Sequence, residues 1–306
     1  MRAAISHKYG REYKLGTQPW TENPHKPGTF SRNPSLSVVV SQYMVSLRRR
    51  KVRAGEVVTS ARAIDEETMK KLWEFNRNFP REELKINSRY KVRQMLQTLY
   101  TISMLCLLRY DEALRIMWSD VELLEMDGSF VVKLTLPFRK TCQTSGIAPF
   151  YLWPDPERPW MDAVTTFAQW WTICVKEIGI KPTGYVFRSR MHYDEINMKA
   201  DAPMSSDSFL DCFRNNMVDI NVDLRPYGMH SFRRAGCQYL AMVLRWPIRN
   251  ICTWGGWAEN FDNPGTIFQY LLSWVDSPTV DRKDYFNPNR LGTDPCTMCG
   301  RTCHCS

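Results

Sequence analysis

The sequence has no apolar run approaching the about eighteen residues that indicate a membrane-spanning helix. Its first residues, MRAAISHKYGREYKLG, carry charges where a secretory signal peptide needs an apolar core. No internal repeat or low-complexity run is present either. Among 306 residues, 43% are hydrophobic, 12% aromatic and 24% charged, which excludes collagen, coiled coil and disorder of the whole chain. We therefore expect a folded, intracellular protein of one or two domains without a membrane partner.

Several familiar catalytic signatures are missing as well. The chain has no phosphate-binding glycine loop, no HExxH zinc helix and no GxSxG nucleophile elbow. Charge gives a more positive indication, because 41 Lys and Arg stand against 32 Asp and Glu, a formal net charge of +9. A basic protein of this kind favours a polyanion such as nucleic acid, or an anionic membrane surface.

The ten cysteines fall into two groups. Six stand singly in apolar or helical stretches, as expected of free buried thiols in a reducing compartment: Cys106, Cys142, Cys174, Cys212, Cys237 and Cys252. Four more crowd into the end of the chain beside His304: Cys296, Cys299, Cys303 and Cys305. Their paired spacing can supply zinc ligands, but it is too tight for a standard finger, so we predict no metal site.

Composition divides the chain into four predicted segments. Residues 1–34 are rich in Pro, Gly, Asn and Thr and read as a flexible N-terminal arm, while 286–306 form a Cys-rich C-terminal tail. Residues 35–60 contain one helix, which ends in a basic cluster and is followed by a linker. We predict the main domain over 61–285.

Periodicity within the main domain predicts a mainly α fold with a small antiparallel β-sheet. Helices are expected near 64–75 and at 87–107, the second with an apolar face broad enough for the centre of a core. FVVKLTL at 130–136 and APFYLWP at 148–154 predict two antiparallel strands. Further helices are expected over 161–178, 205–218, 231–244, 247–254 and 266–275.

Basic and hydrogen-bonding residues recur where these elements meet, and each has an ordinary structural explanation when taken alone. They lie in the strings LLRYDEALRIMWSDV, RKTCQTSG, HSFRRAG, WGGW and IFQYL, in that order. Together these five strings resemble the tyrosine recombinase family, and the first two resemble its Cre-type members. The family pattern places an arginine with an acid three residues on, a hairpin lysine, HxxR, a His or Trp after a turn, and a helical tyrosine. The matching residues here are Arg109 with Glu112, Lys140, His230 with Arg233, Trp257 and Tyr270.

The resemblance covers about residues 35–275 and implies the tyrosine recombinase catalytic-domain fold. It implies site-specific cleavage and rejoining of double-stranded DNA through a 3′-phosphotyrosine, without metal or nucleotide cofactor, by a homotetramer assembled on DNA. The family's N-terminal core-binding half has a counterpart only in its last helix, so the chain is expected to be a fragment or to have lost that domain. The segment AENFDNPG between Trp257 and Tyr270 departs from the family spacing.

The chemistry that the resemblance implies suits these residue types. Arg109 and Arg233 can each give two parallel hydrogen bonds to a phosphate, with Glu112 orienting Arg109. Lys140 would protonate the departing 5′ oxygen, and His230 would accept the proton of the tyrosine or bind the phosphate. Trp257 would donate its indole N–H, and Tyr270 would attack.

Two other tyrosines compete with Tyr270 for the role of nucleophile. Tyr239 lies two helical turns beyond Arg233 and is expected to pack in the core, and Tyr285 lacks an apolar helix to fix its position.

Four further expectations accompany this reading. The basic cluster Arg48, Arg49, Arg50, Lys51 and Arg53 is expected to contact DNA phosphates; the alternative is a solvated helix end. The preferred subgroup is the eukaryotic Crypton-type transposon recombinases, which implies a role in mobile-element integration or excision. Such a protein is nuclear; otherwise it is cytoplasmic. The alternatives are a type IB topoisomerase-like enzyme that nicks and reseals DNA, and a domesticated DNA-binding protein without catalysis.

Overall fold

The computed structural model describes residues 2–15, 18–53, 61–79, 89–136, 148–192, 194–228, 230–257, 267 and 270–271. The chain divides into two compact units, Met1–Thr59 and Ser60–Ser306. Within the described ranges, no helix is both long and apolar enough to cross a membrane. The four-part domain division made from the sequence stays a prediction.

The first unit contains regular structure where the sequence indicated a flexible arm. Helix α1 spans Arg2–Arg11, and the two-residue strands β1 (Thr21–Glu22) and β2 (Phe30–Ser31) pair as an antiparallel hairpin. A stacked ring pair, Trp20 on Phe30 with centroids 5.8 Å apart, supports the hairpin. Helix α2 follows over Val38–Arg53. Ser37 caps its start, because the Ser37 hydroxyl accepts a hydrogen bond from the Val40 N–H at 3.1 Å.

The second unit is built around helix α4. The helices are α3 (Glu66–Arg77), α4 (Tyr90–Leu105), the short α5 (Tyr110–Ala113), α6 (Ala163–Thr172), α7 (Ser206–Asp219), α8 (Ser231–Gln238) and α9 (Ile248–Trp254). Wider π-type turns extend α6 through Ile178 and α8 through Val243. Nearly all of α4 is buried, and it packs against α3, α5, α6 and α8. The prediction that this helix is central is confirmed.

A three-stranded antiparallel sheet lies beside the helices. Strands β3 (Val121–Met126), β4 (Ser129–Leu134) and β5 (Phe150–Leu152) follow that order across it. Val132 of β4 pairs with Leu123 on one side and Leu152 on the other. The predicted β4–β5 pairing is confirmed, and so is the fold class, mainly α with a small antiparallel sheet. Strand β3 was not predicted, although the turn that joins it to β4 is Asp-Gly, a strong hairpin sequence, with both residues at positive φ.

Helices α4 and α8 approach each other at Gly236. A Cβ at this position would lie 2.1 Å from the Met104 carbonyl oxygen and 2.4 Å from the Leu107 Cδ2. Only glycine lets the two backbones come this close, and the contact fixes the start of α8 relative to the end of α4.

Gly236→Ala is expected to destabilise the protein by about 1–3 kcal/mol, because the added methyl group overpacks the contact between α4 and α8. Urea unfolding of wild type and variant measures the change. Gly228→Ala is the matched control, since among the described residues its Cβ would meet the Ala61 Cβ alone, at an ordinary 3.5 Å. Equal stability of the two variants would contradict the prediction.

Candidate active site

The segment after α4 presents the first of the predicted site residues. The chain leaves α4 through Leu107, whose φ is 52°, and then extends through Arg109 at φ −72° and ψ 149°. Arg109 precedes α5, and its backbone N–H donates to a carboxylate oxygen of Glu112 at 3.0 Å. That bond closes the first turn of α5. The Glu112 side chain that accepts it is buried, since the residue is only 9% exposed.

Helix α8 supplies the second group of site residues. His230 immediately precedes the helix, and Arg233 lies in its first turn with 3% of its surface exposed. The Arg233 Nε donates to the Leu107 carbonyl oxygen and its Nη2 to the Glu112 Oε2, both at 2.7 Å. The sequence assigned Glu112 to the orientation of Arg109 alone. In the structure the same carboxylate holds the Arg109 backbone and the Arg233 guanidinium, and thereby joins the two elements.

Two aromatic rings complete the cluster. Trp257 and Tyr270 stack with their centroids 5.4 Å apart and their planes inclined by 20°. The Arg233 guanidinium carbon lies 5.7 Å from the Tyr270 centroid and 6.0 Å from that of Trp257, distances typical of cation–π contacts. The His230 ring centroid lies 6.5 Å from that of Tyr270. The chain is held here by Gln238, whose Nε2 donates to the Tyr270 carbonyl oxygen at 3.4 Å.

The electrostatics of the cluster favour an anion. Burial lowers the pKa of His230, and the positive charges of Arg109, Arg233 and Arg234 lower it further. The Arg109 Nε and the His230 Nδ1 are buried and make no hydrogen bond within the described part of the chain. Among the described residues, Glu112 contacts Arg233, and Asp111 acts on His230 in the direction opposite to the arginines. Two carboxylates against three arginines leave the cluster with positive charge. An oxyanion would supply the acceptor that the Arg109 Nε lacks.

The structure therefore brings together six of the predicted site residues: Arg109, Glu112, His230, Arg233, Trp257 and Tyr270. Lys140 lies outside the described residues, as do Tyr285 and the Cys-rich tail. The rival tyrosine Tyr239 is 7% exposed, and its hydroxyl pairs with Arg158. In the basic cluster at the end of α2, Arg49 and Arg50 are exposed, and the side chains of Arg48, Lys51 and Arg53 are outside the described part.

The sequence analysis did not predict the hydrogen bond between Arg233 and the Leu107 carbonyl. The Leu107 carbonyl is a backbone group, and a residue type does not reveal which carbonyl will meet an arginine. The only available indication was the position of Leu107 just beyond a long apolar helix, where a left-handed residue commonly ends the helix.

Comparison with known proteins gives likeness in fold only. No protein-family model matches the chain, and no curated protein is significantly similar in sequence. The XerH site-specific recombinase bound to its difH substrate is 15% identical with a TM-score of 0.46, over 70% of this chain and 51% of its own. An FLP recombinase–Holliday junction complex is 11% identical with a TM-score of 0.41, over 73% of this chain and 52% of its own. This chain thus spans about half the length of the recombinases that it matches.

The lowered pKa of His230 predicts a pH-dependent stability. Because the unfolded state binds the histidine proton more readily than the folded state, the free energy of unfolding should fall as the pH drops below about 6.5. His230→Asn should lose less stability than wild type between pH 7.5 and 5.5, measured by urea unfolding. The same replacement at the exposed His192 is the control. An unchanged pH dependence in His230→Asn would refute the prediction.

Proposed function

We propose that this chain is the catalytic region of a tyrosine-type, site-specific DNA recombinase. The observation that carries the proposal is the position of the Tyr270 ring, 5.7 Å from the guanidinium carbon of the buried Arg233 and beside His230. A phenol next to fixed cations is the arrangement that phosphodiester cleavage by a tyrosine requires. In this reaction the phenol oxygen attacks phosphorus, the 5′ oxygen departs, and a 3′-phosphotyrosine remains for religation.

The two arginines stabilise the reaction's transition state. Attack on the phosphodiester places extra negative charge on the non-bridging oxygens, and preorganised cationic donors stabilise that charge most. The Arg109 Nε is available as a donor, whereas the Arg233 Nε is occupied by the Leu107 carbonyl. Arg233 therefore contacts the phosphate through its terminal nitrogens, and Arg109 contributes its Nε–H as well.

Proton transfer falls to His230 and Lys140. The lowered pKa of His230 keeps its imidazole neutral at physiological pH, the form that can accept the proton of the attacking phenol. Lys140, which stands between β4 and β5 in the sequence, protonates the departing 5′ oxygen; this assignment derives from the family resemblance. Trp257 donates its indole N–H to a phosphate oxygen and also packs against Tyr270. The phosphotyrosine conserves the bond energy, so the reaction needs no metal or nucleotide cofactor.

The remaining features of the proposal follow from the reaction class. Recombination requires several strand cleavages in one synapse, so the active form is a homotetramer on duplex DNA. The exposed Arg49 and Arg50 at the end of α2 contact phosphates without reading sequence. The resemblance to Crypton-type recombinases further suggests mobile-element integration or excision in a nucleus. Supercoil relaxation without strand exchange would instead indicate a type IB topoisomerase-like enzyme, and DNA binding without cleavage a domesticated binding protein.

Tyr270→Phe should abolish formation of a covalent protein–DNA adduct, because phenylalanine keeps the ring against Trp257 and removes only the attacking oxygen. Nicked suicide duplexes carrying candidate sites trap the adduct, and denaturing electrophoresis detects it. Tyr239→Phe is the matched control and should leave the adduct, because the hydroxyl of Tyr239 is engaged by Arg158. An adduct that persists in Tyr270→Phe would show that another residue is the nucleophile.

Arg109→Ala should slow cleavage by about 100- to 1,000-fold, the usual effect of losing one donor to transition-state charge. Duplex affinity, measured by fluorescence anisotropy at fixed salt, should change little, because one phosphate contact among many is lost. Arg115→Ala removes an exposed arginine from the same segment and should leave the cleavage rate unchanged. A loss of affinity as large as the loss of rate would make Arg109 an anchor for DNA instead.

A further inference from the structure

Leu107 has a backbone conformation that leucine rarely adopts. Its φ is 52°, in the left-handed region, and its side chain is fully buried. The Leu108 N–H donates to the Ser103 carbonyl oxygen at 2.9 Å, the bond that closes a helix through a left-handed residue. Glycine is usual at such a position, and a side chain makes the conformation unfavourable. A residue held there at a cost is a reason to ask what the conformation achieves.

The backbone conformation of Leu107 determines where its carbonyl points. This carbonyl accepts a hydrogen bond from the Arg233 Nε at 2.7 Å, across 126 residues of sequence. Glu112, five residues further along the same segment, accepts from the Arg233 Nη2, also at 2.7 Å. Two acceptors from one short segment therefore hold one edge of a planar guanidinium, and they leave Nη1 and the second N–H of Nη2 directed elsewhere.

The Leu107 side chain also contacts α8, the helix that carries Arg233. The Leu107 Cδ2 packs closely against Gly236 of α8. A Cβ added at Gly236 would lie only 2.4 Å from this Cδ2. Gly236 stands nearly one helical turn beyond Arg233. The leucine thus fixes the separation between the end of α4 and the helix that carries Arg233. A glycine at 107 would favour the backbone conformation but would leave this space unfilled.

We propose that Leu107 is a positioning residue of the active site. Its left-handed backbone aims a carbonyl at the Arg233 Nε, and its side chain spaces α8, so that the terminal nitrogens of Arg233 meet the scissile phosphate. Because Arg109 follows two residues later, the same turn sets the position of both arginines. The catalytic part of this inference rests on the proposed recombinase function; the hydrogen bond itself does not.

Three substitutions separate the backbone from the side chain. Leu107→Met keeps a similar volume and an unbranched Cβ, and Leu107→Ile keeps the volume but adds the β-branch that left-handed backbone tolerates worst. Leu107→Gly favours the same backbone conformation and deletes the side chain. Cleavage is measured at saturating DNA on two duplexes, one with an ordinary scissile phosphodiester and one with a methylphosphonate. The methylphosphonate lacks one charged oxygen, so its cleavage depends less on a correctly placed arginine.

Leu107→Met should cleave both duplexes at nearly the wild-type rate. Leu107→Ile should cleave the phosphodiester about tenfold more slowly or worse, since small misplacements of catalytic groups reduce rates strongly. Its rate on the methylphosphonate should fall much less. Equal losses on both duplexes, or an Ile variant as fast as the Met variant, would overturn the positioning role, because loss of stability alone lowers both rates together. If Leu107→Ile does not fold, Leu107→Gly takes its place, with the same expected difference between the two duplexes, because loss of the side chain removes the spacing of α8.

The hydrogen bond is tested separately in the wild-type protein by NMR with ¹⁵N-labelled arginine. The Arg233 Nε–H should exchange with solvent far more slowly than that of the exposed Arg115, and faster in Leu107→Ile or Leu107→Gly than in wild type. Rapid exchange in wild type would overturn the inference whatever the activity. Slow exchange together with no DNA adduct in wild type would retain the hydrogen bond and reject the proposed recombinase function.

Discussion

The buried ion pair between Arg233 and Glu112 is the interaction on which the candidate site depends. Their side chains are 4% and 7% exposed, and the two atoms lie 2.7 Å apart. Burial of two charges is unfavourable unless their remaining hydrogen-bonding capacity is filled. Here the Leu107 carbonyl engages the Arg233 Nε and the Arg109 backbone N–H engages Glu112, so both groups gain a second partner. The pair therefore ties α8 to the segment that carries Arg109.

The pair is anchored on an interior that is itself partly polar. Asn76 of α3 donates to Gln97 of α4 and accepts from Asn216 of α7, at 3.0 Å in both cases, and the Tyr100 hydroxyl donates to Asn216 at 3.3 Å. Amides buried in this way are costly unless paired, so they fix one register of the three helices. Since α4 ends at the Arg109 segment, this register is transmitted to the site by a helix that cannot slide independently.

The sequence predicts those parts of the fold and of the site that depend on residues close together in the chain. Helix α4 and the β4–β5 pair follow from periodicity, and they were predicted. Strand β3 was missed, although its Asp-Gly turn was a usable indication. The partner of Glu112 was not foreseeable in the same way, because spacing along a helix pairs it with Arg109, whereas Arg233 lies 121 residues away. A contact over that separation is decided by how α4 and α8 pack, which one sequence does not specify.

The same long separation links the chemistry of the site to the stability of the second unit. Arg109 and Arg233 come from distant parts of the chain, so the cationic cluster exists only while α4 and α8 are packed together. The cations also repel one another, and the carboxylates of Glu112 and Asp111 do not neutralise all of them, which opposes that packing. A bound phosphodiester would remove part of this repulsion and fill the vacant donor of Arg109. The contact between Tyr270 and Arg233 is compatible with such binding. The Tyr270 ring interacts with the charge of the guanidinium, whereas a phosphate would accept hydrogen bonds from the N–H groups of the guanidinium. The repulsion between the cations of the cluster is therefore the property that would make the cluster select an anion.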